Sequence, residues 1–179
     1  MTAVAAVYGG ALYDLALEEG RTEEYAAQLD TLRKLWDENP GLSALLSSRA
    51  ISLRERLDVL DRCFAGSVEP YVLNYLKILC EKDAIRHLPG CIRAFTLRYN
   101  DDHGIVEVTA VSAVPLTDAQ KTALTEKLAA QTGKKPLVTY RVDPKVLGGV
   151  RLELDGKELD GTVRGRLDRI ADELKSLTL

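Results

Sequence analysis

Histidine is scarce in this chain, with only His87 and His103 among 179 residues. No His-x-x-x-His or Cys-x-x-Cys spacing occurs, so the common ligand patterns of a zinc site are missing. Neither a dinucleotide-binding glycine pattern nor a Gly-Lys-Ser/Thr phosphate loop is present, and Gly148-Gly149 is better explained as a backbone bend before a strand. The sequence therefore predicts no catalytic residue, no metal site and no bound cofactor.

Cysteine is also rare, and its number is odd. Cys63, Cys80 and Cys91 each lie beside apolar residues in a helical pattern, so we interpret them as buried thiols in a reducing compartment rather than a disulfide framework. No apolar run approaches the about 20 residues that a membrane-spanning helix needs. The first 17 residues contain Asp14 but no Lys or Arg, unlike a secretory signal. We expect a cytoplasmic protein that reaches a membrane only through partners.

An excess of positive charge is missing as well. The 24 Lys and Arg residues against 27 Asp and Glu give a formal net charge of −3, whereas nucleic-acid affinity depends largely on cations that neutralise phosphates. Acidic residues stand among the clustered Arg164, Arg166 and Arg169, which is typical of a solvated helix face. The sequence predicts no nucleic-acid partner.

What the chain does contain, up to about Asn100, is apolar residues at helical spacing. Ser52-Leu-Arg-Glu55 has the form of a capping box at a helix start. Asn39-Pro40-Gly41 is expected to stop one helix before a short apolar turn at 42–46, and Pro70 to open another helix. These signals predict a bundle of five or six helices.

The polar segment Asn100-Asp-Asp-His-Gly104 separates this pattern from a different one. Alternating or β-branched residues predict strands over 105–114 and 137–142, and the capping box Thr117-Asp-Ala-Gln120 begins a helix between them. We therefore predict two domains: residues 1–102, a helical bundle, and residues 105–179, a smaller α/β domain.

The last part of the α/β domain has a hairpin pattern. Val150-Arg-Leu-Glu-Leu154 alternates as a strand, and Asp155-Gly156 supplies the positive φ angles of a two-residue turn. A second Asp160-Gly161 ends the hairpin, and Thr162 can cap a closing helix. The predicted order is strand, helix, strand, hairpin and helix. The apolar positions of the closing helix are Val163, Leu167, Ile170, Leu174 and Leu177.

The segment Val142 to Leu167, VDPKVLGGVRLELDGKELDGTVRGRL, resembles the C-terminal signature of the delta subunit family of bacterial ATP synthases, the family of the mitochondrial oligomycin-sensitivity-conferring protein. Other motifs similar to that family follow in its order and spacing. They are Ala6 to Ala16, Asn74 to Asp83, Leu88 to Phe95, Val111 to Leu116, Gln120, Gly133-Lys134 and Val142-Asp-Pro144.

Two departures from the family pattern affect the helical part. Gly9 and Gly10 stand where Ala and a longer residue are usual, and Arg49 stands where Pro is frequent. Glycine in a helix interior costs about 0.5–1 kcal/mol relative to alanine. We therefore expect the first helix to fray unless another element packs on it.

The resemblance implies a non-catalytic stator adaptor of a rotary ATP synthase. Its helical domain would bind the alpha subunits of the catalytic head, and its α/β domain the C-terminal region of the b-subunit peripheral stalk, so that proton-driven rotation is coupled to ATP synthesis. The chain would be a monomer within a hetero-oligomeric complex on the cytoplasmic face of the cell membrane, without inserting into it. The alternative is a small cytoplasmic two-domain enzyme or ligand-binding protein with a cleft between its domains.

Two helices carry more apolar surface than a thin bundle can bury. Each has two neighbouring apolar stripes, which is typical either of a helix central to its domain or of one that forms half of a docking surface. Spacing alone leaves both interpretations open. In the first helix, one stripe is Val4, Tyr8, Ala11 and Leu15, and the other is Ala5, Gly9, Leu12, Tyr13 and Ala16. In the helix from Pro70, one stripe is Tyr71, Asn74, Tyr75 and Ile78, and the other is Val72, Leu76 and Leu79.

The resemblance favours the docking surface. In the delta family the first and fifth helices form a groove that takes the amphipathic N-terminal helix of an alpha subunit. Matching the family motif position by position places four residues at the groove and four at its rims. The groove residues are Tyr8, Ala11, Asn74 and Ile78, and the rim residues are Val4, Leu15, Tyr71 and Tyr75.

Overall fold

The computed structural model describes residues 2–146, 148–154 and 157–160. The predicted fold class is confirmed, since a helical bundle is followed by a small α/β unit. The chain divides into two compact units between Tyr99 and Asn100. The predicted closing helix and Gly161 lie outside the described residues.

Six α-helices and one 3₁₀ helix form between Thr2 and Asp102, in the part of the chain that is described there. They are α1 (Ala3–Glu18), α2 (Thr22–Glu38), α3 (Pro40–Ser47), α4 (Leu53–Phe64), α5 (Pro70–Glu81), a 3₁₀ helix (Ile85–His87) and α6 (Leu88–Asp102). The predicted capping box of α4 is present: Ser52 Oγ accepts from Glu55 N–H at 3.3 Å, and Glu55 Oε2 accepts from Ser52 N–H at 3.1 Å. Thr2 Oγ1 caps α1 by accepting from Ala5 N–H at 3.3 Å.

Asn39-Pro40-Gly41 begins a helix as well as ending one. The Asn39 side-chain amide donates to the carbonyl oxygen of Leu35 at 2.9 Å, which closes α2. Pro40 occupies the first turn of α3, where its fixed φ suits a helix and its missing N–H leaves no bond unmade. The segment predicted as a short apolar turn is therefore an eight-residue helix, with Leu46 fully buried.

The helical core packs through its largest apolar side chains. Tyr25, Leu29, Leu76, Leu79 and Phe95 are each at most 1% exposed. Burying a leucine or phenylalanine side chain in this way contributes about 1.5–3 kcal/mol. Cys80 and Cys91 are buried, whereas Cys63 is exposed, because α4 buries Arg56, Leu60 and Phe64 instead.

Gly9 allows α6 to lie against α1. The rings of Tyr13 and Phe95 meet edge to face with centroids 5.3 Å apart. A Cβ atom on Gly9 would come within 2.7 Å of the Cβ atom of Ala94 and still closer to the carbonyl oxygen of Cys91. The glycine that departs from the family pattern is thus where another helix packs on α1.

Substitution of Gly9 by Ala is expected to destabilise the helical unit by about 1–3 kcal/mol. Overpacking against the Cys91 backbone outweighs the gain in helix propensity, which is about 1 kcal/mol. Gly10→Ala is the matched control, because its Cβ would meet the flexible end of the Arg98 side chain at 3.2 Å. We expect Gly10→Ala to be neutral or mildly stabilising. Urea unfolding followed by circular dichroism at 222 nm compares the two, and equal stability changes would contradict this account of Gly9.

The helix α6 continues through Asp102, so the first three residues of the segment predicted as a polar linker, Asn100 to Asp102, are helical. The side-chain amide of Asn100 donates to Glu107 Oε1 at 2.8 Å, and Lys134 Nζ lies 3.0 Å from Asp101 Oδ1. These contacts explain why Asn100 and Asp101 group with the second unit. Gly104 then adopts a φ of 61°, a conformation that favours glycine.

The second unit is a four-stranded sheet with one described helix. Its elements are β1 (Ile105–Ser112), α7 (Asp118–Thr132), β2 (Lys135–Val142), β3 (Val150–Leu154) and β4 (Lys157–Asp160). The strand order is β2-β1-β3-β4, with β1 and β2 parallel and the other pairs antiparallel. In the β3–β4 hairpin Leu154 pairs with Lys157, and the predicted Asp155-Gly156 turn lies outside the described residues.

The small core of this unit forms between one sheet face and α7. Val106, Val108 and Leu128 are buried together, and Val138 of β2 packs against them. The predicted capping box begins α7, where Thr117 Oγ1 accepts from Gln120 N–H at 3.3 Å. Gly133 ends α7 with a φ of 66° and leads directly to β2.

Candidate docking surface

The structure separates the two apolar stripes of α1. One stripe is buried in the core, whereas Val4 and Ala11 on the other are exposed, and Tyr8 and Leu15 are half-buried. Helix α1 is therefore not a central helix surrounded by its own unit. The buried stripe consists of Ala5, Gly9, Leu12, Tyr13 and Ala16.

Helix α5 shows the same division, with one exception. Asn74 is exposed, and Tyr71 and Ile78 are 46% and 36% exposed. Tyr75, expected at a rim, is only 8% exposed and belongs to the core. It lies three residues after Val72 and four before Leu79, both buried, so helical geometry places it beside their face. The inward stripe consists of Val72, Leu76 and Leu79.

In the helical core, Tyr8 of α1 packs against the buried cluster that includes Tyr75 of α5. Burial raises the pKa of the Tyr75 hydroxyl well above its usual value, and the nearby Cys91 and Tyr8 side chains raise it further. From Tyr8, α1 runs on to its C-terminus, and from Tyr75, α5 runs back to its N-terminus. These two ends meet, because Arg21 Nη2, just after α1, lies 2.7 Å from Glu69 Oε1, just before α5. The two helices therefore run antiparallel. Of the eight predicted residues, Tyr8 packs against the core that contains Tyr75, and the other six lie on the outward or half-buried sides of the same two helices.

A polar cluster lies where the end of α1 meets the start of α5. Arg21 pairs with Glu24 and Glu69 at 2.8 and 2.7 Å, and its hydrogen bond holds the pKa of the Glu69 carboxyl below its usual range. The Tyr25 hydroxyl is buried there without a hydrogen-bond partner. Burial raises the pKa of Tyr25, whereas the neighbouring Arg21 lowers it and Glu19 raises it. One end of the surface is thus polar and charged.

A second groove, which sequence reasoning missed, runs between α1 and α6. It has a volume of about 480 Å³ and is lined by Val7, Gly10 and Ala11 of α1 and by Ala94 and Leu97 of α6, among others. The Arg98–Asp14 ion pair, at 2.8 Å, also borders it. Val7 is 68% exposed and Leu97 38% exposed. The available signal was the position of Leu97, which stands off the apolar stripe of its helix. Ala11 borders this groove and also belongs to the predicted docking stripe.

In the residues that the structure describes, no three His, Cys, Asp or Glu side chains are placed to hold a metal ion. None of the helices in these same residues is long and apolar enough to span a bilayer.

Comparison with known proteins identifies the family. The family model described as "ATP synthase delta (OSCP) subunit" matches residues 4–174. The chain belongs to this family. An ATP synthase subunit delta of Symbiobacterium thermophilum is 33% identical over 174 residues, covering 97% of this chain and 94% of the relative. One of Desulfitobacterium hafniense is 32% identical over 172 residues, covering 96% of each.

A solved structure shows the same fold in a distant protein. A chain of the Toxoplasma gondii mitochondrial ATP synthase hexamer superposes with a TM-score of 0.77, covering 97% of this chain and 98% of that chain at 20% sequence identity. The delta subunit is the non-catalytic, stator-associated subunit of ATP synthase, so the predicted structural role is confirmed. The alternative of a two-domain enzyme or ligand-binding protein is not favoured.

Proposed function

We propose that this delta subunit joins two partners within ATP synthase. The helical domain, residues 1–102, binds the N-terminal helix of an alpha subunit, and the α/β domain, residues 105–179, binds the C-terminal region of the b subunit. The adaptor works on the cytoplasmic face of the cell membrane, where it holds the catalytic head against the torque of the rotor. The observation that carries the proposal is the apolar stripe of α1 that its own unit leaves uncovered.

The uncovered stripe suits recognition of an amphipathic helix in a groove. Tyr8 and Ile78 offer apolar contact area, and the small Ala11 side chain lets a partner backbone approach closely. Asn74 can satisfy a polar group of the partner that would otherwise be stranded. Tyr75 supports the surface from beneath, because it is buried in the core against which Tyr8 packs. Val4 and Leu15 extend the surface along α1, and Tyr71 extends it along α5.

Ile78→Ala is expected to weaken binding of a synthetic alpha N-terminal peptide about tenfold, close to 1.4 kcal/mol, because it removes an apolar anchor. Leu97→Ala is the matched control, since Leu97 has the same size and nearly the same exposure, 38% against 36%, but lines the α1–α6 groove. We expect Leu97→Ala to change affinity less than about twofold. Isothermal titration calorimetry measures both.

If Leu97→Ala weakens peptide binding and Ile78→Ala leaves it unchanged, the peptide binds in the α1–α6 groove. If neither variant nor the unmodified chain binds the peptide, the assignment of the alpha subunit to the helical domain is wrong.

A further inference from the structure

The charges along α1 are distributed unevenly. Its residues from Ala3 through Tyr13 carry no charge, and Asp14, the first acidic residue, is paired with Arg98. Glu18 and Glu19 follow at the C-terminus, both exposed and without an ion pair in the described part of the chain. The helix thus changes from an uncharged N-terminal part to an acidic end.

This acidic end is not neutralised locally. No Lys or Arg precedes Arg21 in the sequence, and Arg21 is already shared by Glu24 and Glu69. Carboxylates at a helix C-terminus also face the negative end of the helix dipole, and α1 has no basic residue in its last turn. In the free subunit the placement of Glu18 and Glu19 is therefore electrostatically unfavourable.

A second feature marks the same place. Tyr25 is fully buried, its hydroxyl lacks a hydrogen-bond partner, and it lies close enough to Arg21 and Glu19 for both to affect its pKa. A buried hydroxyl without a partner is costly. The outward stripe of α1 thus ends at a polar site that is incomplete within the described residues.

The opposite end of the surface has a different character. The α1 N-terminus is uncharged and capped by Thr2. Because α5 runs antiparallel to α1, its C-terminal half lies towards that end, and its Lys77 is paired with Asp61 at 2.6 Å. The α5 stripe ends there in the exposed Glu81, which stands beside the exposed Lys82. The excess of negative charge is therefore at the end of the surface that holds Glu18 and Glu19.

We propose that the acidic end fixes the direction of the docked alpha helix, with the positive N-terminus of that helix beside Glu18 and Glu19 and the helix antiparallel to α1. The inference rests on the proposed function, because it takes the alpha N-terminal helix as the occupant. The N-terminus of a helix carries the positive end of its dipole, and the first residue of a chain adds a free amino group. Either would offset the carboxylates that α1 leaves unpaired.

A nitroxide label at one or the other end of a synthetic alpha N-terminal peptide tests the direction. Bound to the full-length ¹⁵N-labelled subunit, the N-terminal label is expected to broaden amide signals of Glu18 to Thr22 and of Tyr71. The C-terminal label is expected to broaden those of Val4 and of Ile78. The reversed pattern would overturn the inference and leave the docking surface intact. Broadening of neither helix by either label would overturn the proposed function as well.

A charge cycle gives an independent readout. The peptide with a free amino terminus is expected to bind about two- to fivefold tighter than its acetylated form, which lacks that charge. In the double variant Glu18→Gln/Glu19→Gln the two peptides are expected to bind equally. Glu126→Gln on the exposed surface of α7 is the control and should leave the ratio unchanged. A ratio that persists in the double variant would contradict the inference.

Discussion

Replacing Ala11 with Asp is expected to weaken alpha-peptide binding by about 3 kcal/mol or more, roughly a hundredfold in Kd, because it forces an unpaired carboxylate into an apolar interface. The fold should persist, since Ala11 is exposed in the free subunit and surface substitutions usually change stability by about 0.5 kcal/mol or less. Calorimetric titration gives the affinity, and circular dichroism checks the helices.

Ala123→Asp is the matched control for this experiment. Ala123 is likewise an exposed alanine inside a helix, but it lies on α7 in the second unit, so the peptide should bind that variant as it binds the unmodified chain. Wild-type affinity of Ala11→Asp would mean that the docking surface lies elsewhere. A loss does not by itself decide between the two grooves that meet at Ala11, and that decision comes from Ile78→Ala against Leu97→Ala.

Spacing shows two apolar stripes on α1 but not which of them stays uncovered, and only the family resemblance pointed to the stripe of Tyr8 and Ala11. Both stripes of α1 are apolar along their whole length, so hydrophobic periodicity does not distinguish them. The choice depends on α6, which begins about 70 residues later in the chain and packs on Gly9. Local sequence shows a glycine that weakens a helix, and only the fold shows the helix that occupies the space.

The error at Tyr75 has a simple geometric cause. Spacings of three and four group Tyr75 with Tyr71 and Ile78, but the same spacings also group it with Val72 and Leu79. Whether a residue at the border of two stripes is buried depends on the elements that pack against it. Tyr75 packs into the core beside Cys91. The match to the family motif placed Tyr75 at a rim, yet the bulk of the tyrosine ring is apolar and packs in the core.

The α/β unit follows the sequence more closely, because its signals are local. A capping box, a Gly at the end of α7 and alternating strands each depend on residues a few positions apart. The boundary before it was less predictable. The residues Asn100 to Asp102 are polar and suggest a linker, but nothing in their own sequence shows that Asn100 and Asp101 will bond to Glu107 and Lys134. Helix α6 continues through Asn100 and Asp101 while their side chains make these bonds.

A chain that ends at Gly104 is expected to keep alpha-peptide binding and to lose attachment to the b subunit altogether. It retains α1 to α6, and therefore every residue of the proposed docking surface. It gives up the bonds of Asn100 and Asp101 to the second unit, of which the Lys134–Asp101 pair is solvent-exposed and contributes little. Peptide affinity should stay within about threefold, or roughly 0.6 kcal/mol. Pull-down with the b-subunit soluble domain measures the lost attachment.

The truncated chain and Ala11→Asp test the two contacts separately. The truncation should release the stalk and keep the head, whereas Ala11→Asp should release the head and keep the stalk. Because an adaptor transmits torque only when both contacts hold, each change should uncouple ATP hydrolysis from ion pumping in reconstituted membranes, although neither touches a catalytic residue. If the truncated chain instead loses the alpha peptide while circular dichroism shows intact helices and the stalk stays bound, the partners are assigned to the wrong units.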